Sequence, residues 1–289
     1  MEAPPVPNTA GQNAASRTPA ALEVLLEARF AAGELELPLL PTYATQVVAL
    51  CSDPSSDARA IAQLLQKDPA LAAHVLAIAN SAALGGRERV VSLQQAIARL
   101  GVRQLANVAL SIAVKTKIFS AGKHLERMNA LWRHSTLSGL FAREIARARR
   151  KNVENAYLCG LLHDVGSPVV IQAIDELQSQ TRLSFDKQEI EGALERFHAE
   201  VGEQLVRSWS LPDWTAAAAR HHHDPSAARE CADEVYTAHL ADRLADFADE
   251  QDGLSGVEPV LAALGMYEED LAALQGDVEK IRAAAEVFA

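Results

Sequence analysis

The stretch GLLHDVGSP, Gly160 to Pro168, closes an apolar run with a histidine and an aspartate side by side. Glycine and proline commonly follow the last turn of a helix, so the sequence predicts a leucine-rich helix that stops at Gly166 and Pro168. Such a helix would present His163 and Asp164 at its C-terminal turn, where a cavity can form. Imidazole and carboxylate are both metal ligands, so the pair indicates a metal site that other residues must complete.

The composition predicts an almost all-α protein. Hydrophobic residues make up 49% of the 289-residue chain and aromatic residues only 5%, and the sequence is dominated by alanine and leucine, which favour helix over sheet. One domain with a large core is expected at this length. The net charge of -11 argues against nucleic acid as the main partner, because phosphate backbones would be repelled.

Cysteine usage and hydropathy indicate a cytoplasmic protein. The three cysteines are far apart and form no CxxC pair, so neither a disulfide framework nor a zinc ribbon is expected. The N-terminus has no signal-peptide pattern, and no apolar run is expected to approach the roughly 20 residues that cross a bilayer. Residues 1–17 contain almost no large apolar side chains and are expected to form a disordered tail.

The first half of the chain shows the start and stop signals of several helices. Thr18 with the following proline, Asp57, Asp68 with the following proline, and Ser92 each predict a helix start. Gly101 predicts a helix end. In the second half we expect a long helix over 124–150, a helix at about 168–178, a long helix at about 229–249, and then two helices.

Seven of the nine histidines lie at or after residue 134, at positions 134, 163, 198, 221, 222, 223 and 239. Facing helices of a bundle can bring such residues from distant positions into one metal site. Asp242 shares a helical face with Val235, Ala238 and Ala245, so its carboxylate is expected to point into packed structure. A buried charge needs a partner, which a metal ion, a histidine or a helix N-terminus could provide.

Each histidine also has a purely structural interpretation. His134 could equally donate to a backbone carbonyl, and His198, one turn from Gly202, is expected to mark close helix packing. A helix can turn at most one or two of the residues 221–223 inward. His239 is expected to be exposed or to act as a cap.

The order of His134, His163-Asp164 in GLLHDVG, and Asp242 in HLADRLA resembles the H…HD…D signature of the HD superfamily of metal-dependent phosphohydrolases. Six further segments, over roughly residues 35–250, resemble the HDOD family, the HD-related output domains of bacterial signalling proteins: LPLLP, DPALAAHVLAIANSA, SLQQAIARLG, LWRHS, FHAEVGEQLVRSWSLP and RHHHDP. The resemblance implies an all-α, multi-helix HD-like bundle. It would form a single domain over 18–289, with an N-terminal helical part at about 18–120 and the HD-like part at about 121–289.

The resemblance also implies a metal site. Its ligands would be His134, His163, Asp164 and Asp242, and the metal a divalent transition ion such as Fe, Mn or Zn. A second ion would use His198 and His222. Asp164 is the candidate for a catalytic carboxylate if the protein is an enzyme.

Two functions are compatible with this site. HDOD domains are generally regarded as regulatory, which implies a protein partner, bound for example around Asp68–Ser81, with little or no catalysis. The alternative is a metal-dependent phosphohydrolase acting on a phosphoester or nucleotide through a metal-activated water. Catalytic HD-GYP relatives typically have a lysine after the HDxG motif and a GYP motif after their paired histidines. This chain has Ser167 and no GYP after His223, and serine cannot neutralise a transferring phosphoryl group.

Overall fold

A computed structural model of the chain describes residues 21–52, 58–81, 89–120, 124–250 and 254–288. These residues form helices, turns and connectors without a strand, which confirms the all-α prediction. The predicted tail at 1–17 and the predicted caps at Thr18 and Asp57 lie outside the described residues.

The helices follow one another with mostly short connections. In chain order they are α1 Ala21–Ala31, α2 Thr42–Ser52, α3 Ala58–Leu65, α4 Pro69–Ala79, α5 Leu93–Leu100, α6 Val102–Ile118, α7 Leu125–Ala148, α8 Val153–Leu162, α9 Gly166–Thr181, α10 Lys187–Ser208, α11 Asp213–His221, α12 Ala232–Glu250, α13 Glu258–Leu264, α14 Glu268–Gly276 and α15 Val278–Ala285. Two short 3-10 helices, Pro225–Ala227 and Glu286–Phe288, follow α11 and α15.

Two of the predicted helix starts are visible as side-chain caps. Asp68 Oδ1 accepts a hydrogen bond from the backbone N–H of Leu71 at 3.0 Å, and Ser92 Oγ accepts one from Gln95 at 3.2 Å. Each bond satisfies a backbone donor that the first turn of a helix leaves without a partner. Gly101 ends α5 with a φ of 78°, as predicted.

The hydrophobic core of the described residues contains two large clusters and a third of only three residues, Cys159, Ala218 and Ala238. Of the two large clusters, the smaller is formed by α2 to α5 with the first half of α6, and the larger by the second half of α6 with α7 to α15. α1 packs on α10, so Leu22 and Leu26 belong to the larger cluster although α1 comes first in the chain. The division of the domain near residue 120 stays a prediction.

Around the opening stretch, the helix boundaries differ from the prediction. α8 ends at Leu162, and Gly166 and Pro168 lie in the first turn of α9, so they begin a helix instead of following one. Proline is tolerated there because first-turn N–H groups have no partner within the helix. His163 and Asp164 therefore lie in the turn between two helices. α9 is also longer than the predicted 168–178.

A close backbone crossing holds this turn against α10. A Cβ added at Gly166 would lie 2.0 Å from the carbonyl oxygen of His198 and 2.6 Å from the backbone nitrogen of Gly202. Only glycine allows this approach without movement of the backbone. The close packing that the spacing of His198 and Gly202 predicts is thus confirmed.

The end of the chain contains three α-helices, α13 to α15, instead of the two that we predicted. Gly265, at a φ of 65°, ends α13 as expected. The additional break falls at Gly276 and Asp277, two residue types with poor helix propensity.

The stretch Val153–Thr181, which covers α8 and α9, is long and apolar enough to cross a bilayer. The expectation that the sequence contains no such run is wrong for this stretch. Within its most apolar window, however, 83% of the residues are buried in the fold. Such burial is typical of a core helix of a soluble domain.

Candidate metal centre

One group of potential metal ligands, here called the first ligand group, consists of His134 on α7, His163 after α8 and Asp242 on α12. Asp242 Oδ1 lies 2.9 Å from His134 Nε2 and 3.2 Å from His163 Nε2. His163 is fully buried and Asp242 nearly so. The carboxylate thus points into packed structure, as the helical pattern around Asp242 predicts.

A second ligand group consists of His198 on α10 with His222 and His223, which follow α11. His198 Nε2 lies 3.3 Å from His222 Nε2 and 2.9 Å from His223 Nε2. The imidazole rings of His163 and His222 have their centroids 5.0 Å apart, so the two groups adjoin. Two helices, α7 and α10, and the turns that follow α8 and α11 therefore bring the five imidazoles to one region of the fold.

We predicted Asp164 as a ligand of the first metal, together with His134, His163 and Asp242. In the structure its carboxylate lies beside the second ligand group. Its Oδ1 is 3.6 Å from His198 Nε2 and accepts a hydrogen bond from Ser167 Oγ at 2.7 Å. The structure thus brings His134, His163 and Asp242 together and places Asp164 beside His198. Which of these residues bind metal stays a prediction.

Backbone carbonyls fix the protonation of three of the imidazoles. In each of these rings Nδ1 lies 2.6 to 3.0 Å from a carbonyl oxygen, and since a carbonyl can only accept, Nδ1 carries the proton. When such a ring is neutral, the lone pair of its Nε2 points towards the ligand groups, which is the arrangement a metal requires. The pairs are His163 with Gly160, His198 with Leu194, and His222 with Ala219.

The second ligand group fits a cation. His198 and His222 are both hydrogen-bond acceptors at Nε2 when neutral, and the repulsion between two acceptors 3.3 Å apart is relieved by a cation between them. A proton is a poor candidate for that cation, because burial and the neighbouring imidazoles lower the pKa of His222 well below its ordinary value, and that of His223 is lowered as well. A metal ion satisfies the same lone pairs without a protonated ring.

The first ligand group can also be satisfied by protons. Burial opposes the charge on Asp242, but the adjacent imidazoles of His163 and His134 hold the pKa of its carboxyl well below the usual range. Burial likewise disfavours the imidazolium of His134, yet the hydrogen bond that its Nε2 donates to Asp242, together with the negative charge of that carboxylate, raises the pKa of this histidine to about 9. An imidazolium–carboxylate pair is therefore a stable alternative to a metal in this group, so the second group indicates a metal more strongly.

Sequence reasoning did not include His223 in the site. It allowed one or two inward residues among positions 221–223, and both His222 and His223 face His198. Because α11 ends at His221, the next two residues leave the helical spacing and can turn to the same side. His239 acts as a cap, one of its two expected roles, since its Nδ1 donates to the carbonyl of His222 at 2.5 Å.

The HDOD domain family pattern matches residues 37–225 of the chain. An HDOD domain protein with unknown function from Geobacter sulfurreducens has a solved structure with 25% sequence identity and a TM-score of 0.73, covering 92% of this chain and 98% of that one. A protein from Shewanella amazonensis, named as a candidate metal-dependent phosphohydrolase, gives 20% identity and a TM-score of 0.71 over 91% of this chain and 98% of its own. At that identity it shows the fold alone.

An uncharacterised protein from Treponema pallidum is 27% identical over 223 residues. That alignment covers 74% of this chain and 43% of the relative, so the chain spans less than half of the relative's length. The family match covers well over half of this chain and contains every residue of the two ligand groups except Asp242. The chain belongs to the HDOD domain family.

Proposed function

We propose that this chain is a cytoplasmic, bacterial regulatory output module that holds divalent transition metal and acts through a protein partner, with little or no catalysis. The observation that carries this proposal is the hydrogen bond from Ser167 Oγ to Asp164 Oδ1 at 2.7 Å. Ser167 stands where catalytic relatives typically have lysine. A neutral hydroxyl already bonded to a candidate ligand cannot neutralise phosphoryl charge in a transition state.

The burial of four of the six residues in the two ligand groups supports the same function. The side chains of His163, His198, His222 and Asp242 are all buried. An ion needs only a narrow path to these atoms, whereas a phosphoester must place phosphorus beside the metal together with an attacking water. The centre is therefore better suited to holding helices together than to turning over a substrate.

The residues present fit a Zn, Fe or Mn ion, because imidazole and carboxylate are the ligands these metals share. Such an ion would supply Lewis acidity and lower the pKa of a coordinated water. The chain itself orients the ligands. Backbone carbonyls hold the Nδ1 atoms, Ser167 holds Asp164, and His239 holds the backbone of His222.

The alternative function is a metal-dependent phosphohydrolase. It is favoured by the position of the two ligand groups directly beside one another. Two ions held side by side can stabilise both the attacking and the leaving oxygen of a phosphoryl transfer. In this alternative Asp164, located beside His198, would hold or orient the attacking water.

Asp242→Ala is expected to leave the regulatory phenotype and partner capture near wild-type, because the proposed output is a protein contact and not turnover. The metal-loaded wild-type protein should release no product above a chelated control from a panel of phosphomonoesters, nucleotides and cyclic dinucleotides with Zn, Fe or Mn. Circular dichroism should first establish that the variant is folded. Chelator-sensitive turnover that Asp242→Ala abolishes, together with loss of regulation in the folded variant, would establish the hydrolase instead.

A further inference from the structure

The 3-10 helix Glu286–Phe288, here called the 286–288 segment, lies at the junction of the two hydrophobic clusters. Val287 packs against the smaller cluster, and Phe288 packs against both. The ring of Phe288 also lies 6.3 Å from that of Tyr157 on α8, measured between centroids. The segment therefore fills a place between the first helices and the HD-like part of the chain.

Two side chains hold the segment through a single carbonyl. The oxygen of Phe288 accepts a hydrogen bond from Trp132 Nε1 at 2.8 Å and one from Lys115 Nζ at 3.1 Å. Trp132 is buried, and Lys115 Nζ also lies 6.0 Å from the centre of its ring. Among the described residues, no carboxylate forms an ion pair with Lys115, so this partly buried ammonium has positive charge to offer an acidic group.

The site extends beyond the segment on both sides. One cavity of about 580 Å³ and another of about 400 Å³ share three lining residues, Lys115, Asn129 and Trp132. The first also includes Glu286, and the second includes Phe288 together with His74 and Ile78 of α4. The segment thus occupies the middle of a groove that is longer than the segment itself.

We propose that this groove, bordered by α4, α6 and α7, is a docking site for a partner peptide in which an acidic residue precedes an aliphatic and an aromatic residue. The 286–288 segment is its internal occupant, with Glu286, Val287 and Phe288 supplying that chemistry. The inference rests on the proposed function, since it assigns a surface and a sequence chemistry to the protein partner. The groove also includes part of the surface around Asp68–Ser81 where we expect a partner to bind, because α4 forms one edge of the groove.

The geometry of the segment explains how a partner could replace it. The segment is held by the contacts of only three residues and by one carbonyl oxygen that accepts two hydrogen bonds. Because it is tethered to the chain, however, it competes at an effective concentration of about millimolar. A partner peptide must therefore bind more tightly than the segment does, which it can achieve by filling the two cavities. Glu286 lines the first cavity together with Lys115 but is not ion-paired with it, so an acidic partner residue that reaches Lys115 would gain a contact that the segment lacks.

A labelled peptide with the sequence of residues 280–288, KIRAAAEVF, tests the groove by fluorescence anisotropy on the full chain. Phe288→Ala should bind this peptide at least about tenfold more tightly than the wild type, because the tethered competitor is weakened. A peptide with alanine in place of its phenylalanine should not bind. Adding Trp132→Phe or Lys115→Met to Phe288→Ala should weaken the binding again, whereas adding Tyr267→Ala, an exposed aromatic far along the chain, should not.

Equal and negligible binding of the peptide to wild type and to folded Phe288→Ala would overturn the proposal. If Phe288→Ala does not fold, Val287→Ala provides the same comparison with a smaller loss of packing, and the same outcomes apply. A partner captured from cells equally by wild type and Trp132→Phe would reject the groove and keep the proposed function. Peptide binding to Phe288→Ala without any captured partner would keep the groove and reject the proposed partner.

Discussion

His222→Gln is expected to reduce the metal content of the protein by about one ion per chain and to lower the melting temperature of the metal-loaded protein by roughly 10 °C. His222 is buried, and its Nε2 lies 3.3 Å from that of His198 in the second ligand group. An ion present at a thousand times its dissociation constant contributes about 4 kcal/mol to folding, and this contribution is lost with the ligand. His221→Gln, at the neighbouring residue that belongs to neither group, should leave both values near wild-type.

The same variant should behave differently after chelation. In the metal-free wild-type protein the lone pairs of His198 and His222 face one another, whereas a glutamine at position 222 can donate an N–H to His198. The free energy of unfolding of metal-free His222→Gln should therefore lie within about 1 kcal/mol of that of metal-free wild type. Elemental analysis and thermal unfolding with and without chelator measure both effects. A wild type that chelation does not destabilise, or a variant that retains full metal content, would contradict a metal in the second ligand group.

Local sequence signals predict several helix starts and part of the site. Caps such as Asp68 and Ser92 act through hydrogen bonds within three residues, so their positions can be read from the sequence alone. The inward direction of Asp242 likewise follows from its helical neighbours. The sequence does not predict the helix boundary after Leu162, because glycine and proline can begin a helix as well as follow one.

The convergence of the ligand groups depends on tertiary packing that no local pattern encodes. His223 could not be assigned from spacing, since its direction depends on where α11 ends. The position of Asp164 beside His198 results from the crossing of Gly166 over α10, which joins residues more than thirty positions apart. The 286–288 segment contacts Lys115 and Trp132, which are separated from it by more than half of the sequence, so no local pattern predicts its role.

Gly166→Ala is expected to destabilise the protein by about 3 kcal/mol or more, because the new methyl group meets backbone atoms and not a flexible side chain. Its Cβ would lie 2.0 Å from the carbonyl oxygen of His198, so α10 and the turn after α8 must separate. That movement carries His198 away from Asp164 and from His222. Loss of metal should therefore accompany the loss of stability.

Gly202→Ala is the matched control, since it adds the same methyl group on the other side of this crossing. The nearest atom to its Cβ would be the backbone nitrogen of Gly166 at 3.4 Å, which is an ordinary contact. Alanine is the better helix former within α10, so this variant should be neutral or stabilised by about 0.5 to 1 kcal/mol. Urea denaturation and metal content of both variants provide the measurement. Equal stability of the two would show that the turn can move away from α10 at little cost, and that the crossing does not hold the second ligand group together.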